Sequence, residues 1–206
     1  MQRGRLITIE GLDGAGKTTL ALGLHESLTR RGLDVRLMRE PGGVRAAERV
    51  RELVGDPELH IVPRAEALLY AAARAQLVTE AVEPLLESGT WVLLDRFIDS
   101  SLAYQGGGRG LGIEAVREIN EFATHGLIPD RTLLLMVDPT VGKARFRGRG
   151  DPLDRLERED EEFFLRTASA YLELWARDMD RIRKIDATQR PETVLAAALG
   201  QLADLL

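Results

Sequence analysis

The stretch Leu6 to Leu20, reading Leu-Ile-Thr-Ile-Glu-Gly-Leu-Asp-Gly-Ala-Gly-Lys-Thr-Thr-Leu, constrains the fold of this chain more than any other. Gly11, Gly16, Lys17 and Thr18 complete G-x-x-x-x-G-K-S/T, the phosphate-loop pattern. Glycine is wanted at Gly11, Gly14 and Gly16 because the chain must take backbone angles closed to residues with a Cβ. The N–H groups of such a loop converge on phosphate oxygens at the positive end of the following helix. Lys17 is then expected to reach the β- and γ-phosphates of a bound nucleotide, and the Thr18 hydroxyl to meet Mg²⁺.

The flanks agree with that reading. Leu6-Ile7-Thr8-Ile9 is short, apolar and β-branched, as a buried parallel strand should be. Leu20, Leu24 and Leu28 then recur at helical spacing. Of 28 lysines and arginines only three are lysine (Lys17, Lys143, Lys184), and one of the three stands where a compact ammonium is needed.

At 206 residues the chain suits one domain with a sizeable core and a small mobile insertion. Its 44% hydrophobic and 30% charged residues are those of a globular protein. A formal net charge of −5 argues against broad nucleic-acid binding. The absence of cysteine removes disulfides and Cys-ligated zinc. The first five residues lead directly into a strand, leaving no room for a signal peptide, and no apolar run approaches membrane-spanning length. The chain reads as soluble and cytoplasmic.

Short apolar strands alternate with longer helical patterns, which predicts an α/β fold with a five-stranded parallel sheet flanked by helices on both faces. The later strands are Val35–Met38, Trp91–Leu94 closing on Asp95, Thr132–Val137 and Arg183–Ile185. Helices are predicted over 18–30, 44–54, 64–87, 113–125, 139–147, 160–179 and 191–205. Ligands of such sheets bind beyond the carboxyl ends of the strands. That rule selects Arg39-Glu40-Pro41-Gly42-Gly43, where Arg39 either clamps a second phosphate or pairs with Glu40. It also selects Asp95-Arg96, an acid suited to helping hold Mg²⁺ beside a planar fork suited to a phosphate.

After these comes Ser100-Ser101-Leu102-Ala103-Tyr104-Gln105-Gly106-Gly107-Gly108-Arg109-Gly110. A triple glycine ordinarily marks a flexible loop, but here it follows hydroxyl, phenol and amide groups of the kind that read a nucleoside. Further on, Arg145, Arg147 and Arg149 lie two apart, and Gly148, Gly150 and Pro152 break the helix. Nearby acids (Asp151, Asp154, Glu157, Glu159, Asp160) could pair with them on a solvated surface. The favoured reading is a lid at about 145–158, hinged at glycine, whose arginines close over a transferring phosphoryl group.

Taken in this order, the motifs resemble the bacterial thymidylate kinase family, which phosphorylates dTMP with ATP on the way to dTTP. The likeness runs from Leu6 to about Leu195 and includes Gly11 to Thr19, Arg39 to Gly43, Asp95-Arg96, Tyr104 to Gly110, Leu153-Asp154-Arg155 and Ile185-Asp186-Ala187-Thr188. It implies a three-layer P-loop kinase fold over residues 1–206, Mg²⁺ with ATP as co-substrate, and a homodimer. In the predicted 64–87 helix, Ala71, Ala72, Ala73 and Ala75 permit the close packing a dimer helix needs.

Carried across residue by residue, the likeness puts ATP on Gly11, Leu12, Asp13, Gly14, Ala15, Gly16, Lys17, Thr18 and Thr19, with adenine received near Ala187 and Thr188. It assigns Mg²⁺ to Thr18 and Asp95. The dTMP set is Asp13, Arg39, Pro41, Tyr70, Arg74, Arg96, Ser100, Ser101, Tyr104 and Gln105. In it Arg96 takes the phosphate, Arg74 the base, Tyr70 the place of a stacking aromatic, and Ser100 and Ser101 the base's polar edge. Tyr104 and Gln105 crowd the position of a ribose 2′-OH. Ala15 stands where some members carry a basic residue, so this chain resembles the group that uses lid arginines, with Arg147 and Arg149 joining Asp13, Lys17 and Arg96 as catalytic candidates. Family members often have Phe where Tyr70 stands and Thr where Val44 stands.

Two other readings remain on the residues alone. One is a kinase of another nucleoside monophosphate or deoxynucleoside, against which Tyr104-Gln105 speaks. The other is a GTP-dependent switch, against which the lack of any Asn-Lys-x-Asp speaks.

Overall fold

The computed structural model of the chain describes residues 3–138, 140–142, 145 and 154–206. Five strands form one parallel sheet in the order β2-β3-β1-β4-β5: β1 (Leu6–Glu10), β2 (Val35–Arg39), β3 (Trp91–Asp95), β4 (Arg131–Met136) and β5 (Ile182–Asp186). β1 is central and buried at all five positions, so that even its polar residues, Thr8 and Glu10, are enclosed. The register sets Ile9 against Asp95 on one side and Glu10 against Leu134 on the other. The segments that follow β1 and β3 therefore emerge side by side at the same edge.

Helices cover both faces. α1 (Lys17–Arg30) and α8 (Pro191–Gly200) bury Leu20, Leu24, Leu28 and Ala198 against the sheet. On the other face α3 (Pro63–Leu77) runs through a π-helical turn (Val78–Val82) into α4 (Glu83–Glu87), and Leu77, Val78, Val82 and Leu86 pack on β1 and β3. This is the predicted 64–87 helix, continuous but with one wide turn. α2 (Arg45–Gly55) lies beside α3. The helix predicted over 191–205 ends at Gly200, and 201–205 continue as turns. Of the predicted 139–147 helix, residues 140–142 and 145 are helical and the rest lie outside the described residues.

The segment after β3 differs most from expectation. The sequence carries no predicted helix there, yet the chain forms a short helix, α5 (Ile98–Ser101), that widens into a π-helical run (Leu102–Gly108) before α6 (Ile113–Thr124). The glycines are demanded by packing against α7 (Glu161–Arg177). A Cβ at Gly107 would stand 2.4 Å from the Ala170 Cβ, and one at Gly108 would stand 2.5 Å from the Thr167 Oγ1. Leu102, Ala103 and Tyr104 thereby enter a core shared with Phe163, Ala170, Tyr171 and Leu174. Among the described residues no helix is long and apolar enough to cross a membrane.

Candidate active site

The phosphate loop joins β1 to α1, and its glycines have the backbone angles the motif requires: φ is 135° at Gly11, 77° at Gly14 and 95° at Gly16. Space forbids a side chain at Gly14 as well, since a Cβ there would lie 2.0 Å from the Gly142 carbonyl oxygen. Lys17 is folded back under the loop, its Nζ donating to the carbonyls of Gly11 at 3.1 Å and Leu12 at 2.9 Å. Burial, with the Arg96 charge adding to it, brings the Lys17 ammonium down to about 8. The Thr18 hydroxyl donates to Asp95 Oδ2 at 3.2 Å, so the two residues assigned to Mg²⁺ meet at the exposed mouth of the loop. Leu12 is turned into the core, Ala15 is buried, and Thr19 points to solvent.

Arg96 and Asp13 form the centre of the site. Arg96 follows β3 with φ 72°, a left-handed conformation uncommon outside glycine. Its Nη2 is ion-paired with Asp13 Oδ1, and its Nη1 donates to Ser100 Oγ at 3.1 Å and to the Gly11 carbonyl at 3.3 Å. Tyr104 donates its hydroxyl to the other Asp13 oxygen at 3.0 Å, and its ring lies 5.0 Å below the Arg96 guanidinium. Burial alone would raise the Asp13 carboxyl, but the Arg96 and Lys17 charges outweigh it and hold it at about 2.

Two cavities meet at this pair. The larger, about 820 Å³, is lined by Gly14, Gly16, Lys17, Thr18, Arg39 and Asp95. The smaller, about 280 Å³, is lined by Pro41, Tyr70, Arg74, Ser101, Tyr104 and Gln105. Asp13, Glu40, Arg51, Arg96, Asp154 and Glu157 border both. Every dTMP residue expected from the sequence except Arg39 thus lies on the smaller cavity, and Arg39 lies on the larger one. Ala187 and Thr188 line neither, and sit apart at the end of β5.

Several side chains have partners that sequence reasoning did not supply. Arg39 does not pair with Glu40; its Nη2 reaches both Glu48 oxygens at 3.3 Å, because Glu48 in the first turn of α2 faces the end of β2. Glu40 belongs instead to Arg74. The five N–H groups of Arg74 meet Glu40, Ser101, Asn120 and the Phe97 carbonyl, which leaves it buried and internally satisfied at the cavity wall. The Gln105 amide donates to Glu66 at 2.9 Å. Glu66, fully buried, also receives Arg109 and Arg155.

Asp154 and Glu157, which the sequence offers as possible surface partners of the arginine run (Asp154 also within the Leu153-Asp154-Arg155 likeness), bear on both cavities. Each carboxylate accepts the other's backbone N–H, Asp154 N to Glu157 at 2.7 Å and Glu157 N to Asp154 at 2.9 Å. That reciprocal pairing at three-residue spacing is the signal in the sequence that could have found them. Burial pushes Glu157 up to about 7 and raises Asp154 as well. Arg147 and Arg149 lie outside the described residues, as does part of the lid predicted at about 145–158. Arg145, at the start of that lid, donates to the Ala187 carbonyl at 3.0 Å.

The geometry therefore offers a larger polar cleft at the phosphate loop and a smaller cavity beside it, joined along a seam that includes the Arg51 and Arg96 guanidinia. Mg²⁺ fits the hard oxygen donors of Thr18 and Asp95. Among the described residues no group of three or more His, Cys, Asp or Glu could hold a metal.

Comparison with known proteins points the same way. The family model described as "Thymidylate kinase" matches residues 9–198. Among curated relatives, the thymidylate kinase of Carboxydothermus hydrogenoformans is 45% identical over 203 residues, covering 98% of each chain. That of Oenococcus oeni is 48% identical over 211 residues, covering 100% of this chain and 98% of the relative. Among solved structures, the thymidylate kinase of Ehrlichia chaffeensis superimposes with a TM-score of 0.81 at 27% identity, covering 98% of this chain and 99% of that one.

Proposed function

This chain belongs to the thymidylate kinase family, and we propose that its two joined cavities divide the reaction between them, ATP on the Lys17 side and dTMP on the Tyr70 side. The enzyme is a phosphotransferase that moves the γ-phosphoryl group of ATP to dTMP, giving dTDP and ADP. The observation that carries the division is the position of Arg96, which borders both cavities and is held there by Asp13 and Ser100.

In this reading the phosphate loop cradles the ATP phosphates, and Lys17 exchanges the Gly11 and Leu12 carbonyls for the β- and γ-oxygens. Thr18 and Asp95 would hold Mg²⁺, which would supply neutralisation of charge on the transferring group. Arg96 turns from the Asp13 carboxylate, which stands where an anion is wanted, to the dTMP phosphate. That phosphate is already an oxyanion near neutral pH, so no strong base is needed. Catalysis rests on alignment and charge neutralisation. The lid arginines Arg147 and Arg149 complete that neutralisation because Ala15 leaves the loop without its own.

Tyr70 supports the thymine ring and Arg74 holds the surrounding wall in shape, with Ser101 and Gln105 fixed behind it. Tyr104, wedged between Phe163 and Tyr171 and bonded to Asp13, forms the rigid surface against which a 2′-OH would press. Adenine lies toward Ala187 and Thr188, which Arg145 ties to the base of the lid. We further propose a single catalytic domain acting in the cytoplasm as a homodimer. Ala72 and Leu68 of α3 and Leu53 of α2 are exposed and offer the apolar face for the second copy.

The test is ADP release from ATP and Mg²⁺ with each nucleoside monophosphate in turn. dTMP should give the highest kcat/KM. Equal rates with a ribonucleotide would remove the role given to Tyr104, and equal release without any acceptor would remove the division of the two cavities.

A further inference from the structure

Glu10 is fully buried at the last position of β1, and nothing above gives it a part in the reaction. Three donors converge on its carboxylate. The Phe97 N–H reaches Oε1 at 2.7 Å, while the hydroxyls of Ser100 and Tyr171 reach Oε2 at 2.6 Å and 2.9 Å. Above about pH 7 the Glu10 carboxylate is ionised and only accepts, so it satisfies all three, whereas an amide would set an N–H against at least one of them.

The consequence lies one bond further on. Ser100 has a single hydroxyl proton, and Glu10 takes it. The serine lone pairs are left facing Arg96 Nη1 at 3.1 Å, which donates to them. Glu10 thus sets which way the Ser100 hydroxyl points, and the hydroxyl sets where the guanidinium rests. The same carboxylate pins the Phe97 amide, the residue directly after Arg96, whose left-handed backbone (φ 72°) also bonds through its own N–H to the Ile9 carbonyl at 3.0 Å. Backbone and side chain of Arg96 are both steadied from behind by one acid.

We infer that Glu10 is a positioning residue for the acceptor phosphate: through Ser100 and the Phe97 amide it aims the Arg96 guanidinium at the seam between the two cavities without touching the nucleotide. This rests on the reading of Arg96 as the partner of the dTMP phosphate. A role of this kind is specific to the phosphate, which separates it from a general support of the fold. Thymidine, the same nucleoside without its phosphate, supplies the contrast.

The experiment titrates dTMP, thymidine and ATP against folded Arg96→Ala, Glu10→Gln, Ser100→Ala and the Glu10→Gln, Ser100→Ala double variant. Arg96→Ala should weaken dTMP far more than thymidine; if it does not, the Arg96 reading itself fails and the relay with it. Given that result, Glu10→Gln should weaken dTMP by about tenfold while thymidine and ATP stay within about twofold. Ser100→Ala should show the same phosphate-specific loss, and the double variant should be no weaker than Glu10→Gln by more than about twofold, because both act through one chain of bonds. Should Glu10→Gln not fold, Glu10→Asp, which draws the carboxylate back from Ser100 and the Phe97 amide, is titrated in its place with the same expected phosphate-specific loss. Equal loss of dTMP and thymidine, or unchanged dTMP affinity beside a phosphate-specific Arg96→Ala, overturns the inference.

Discussion

Arg74 and Glu40 are ion-paired inside the protein, Arg74 Nη2 standing 2.6 Å from Glu40 Oε2 with the two side chains 2% and 4% exposed. The pair ties the last turn of α3 to the turn after β2, two walls of the smaller cavity. Burial raises the Glu40 carboxyl, and the Arg74 charge opposes that rise. Removing one partner would leave the other charge buried and uncompensated. Glu40→Ala should therefore lower stability by about 3–5 kcal/mol. The exposed Arg39–Glu48 pair is the contrast, and Arg39→Ala should change stability by about 0–1 kcal/mol. Urea unfolding of both variants checks the order; equal losses would show that Arg74 finds another anion.

Lys17 is buried under the phosphate loop, its Nζ donating to two backbone carbonyls and lying 3.8 Å from Asp13 Oδ1, a carboxylate that Arg96 still pairs once Lys17 is removed, so the fold should survive its loss. Lys17→Ala should melt near the parent temperature yet lose transfer by at least about 10²-fold, since it removes charge stabilisation concentrated in the transition state. A purified, folded variant with near-parent turnover would refute the loop's assigned role.

Arg147 and Arg149 should act in the chemical step rather than in binding dTMP, because Ala15 leaves the loop without a cation at that point. Arg149→Ala should reduce kcat by about 10³-fold, the scale of other arginine fingers, with dTMP affinity little changed. The Arg147→Ala, Arg149→Ala double variant is the decisive case. Parent-like kcat there would mean that the transferring charge is met elsewhere.

The elements that were legible in the sequence are those whose cause is local. β1, the loop and α1 read directly because burial on both faces, glycine angles and helical leucine spacing all act within a few residues. The run Leu102–Gly108 did not, since its glycines answer to Ala170 and Thr167, which are more than fifty residues away in the chain. Partners were hidden for the same reason. Gln105 is fixed by Glu66 and Arg74 by Glu40, contacts 39 and 34 residues apart that no periodicity announces. Glu10 ends its strand as Asp95 does, but the partners that give it a part, Ser100 and Tyr171, lie 90 and 161 residues away in the chain.

Glu10 should leave a signature in stability against pH. Burial, with the Asp99 charge added, pushes its carboxyl from 4.5 up to about 7. A raised carboxyl binds more protons in the folded state than in the unfolded chain, so its contribution is fully present below the unfolded value and is lost as pH rises through about 7. Glu10→Gln cannot titrate. The melting temperature of the variant minus that of the parent should thus climb between about pH 5 and about pH 8. A difference that stays flat across this range would place Glu10 at an ordinary carboxyl value.

Tyr70 stands four residues before Arg74 on α3, and both line the smaller cavity, so one helix face presents an aromatic plane beside the buried Arg74–Glu40 wall. Burial, with the Glu66 charge adding to it, raises the Tyr70 hydroxyl, which stays un-ionised throughout the working range. A phenol and a benzene ring stack comparably, so Tyr70→Phe should keep dTMP affinity within a small factor. Tyr70→Ala should weaken dTMP by about 1–3 kcal/mol, the scale of losing one base–aromatic stack. Thymidine should suffer the same loss as dTMP, since the base and not the phosphate is involved, which distinguishes this effect from that of Arg96→Ala. Unchanged affinity for both ligands in folded Tyr70→Ala would mean that the ring serves only to pack α3 and that the base rests on another wall of the cavity.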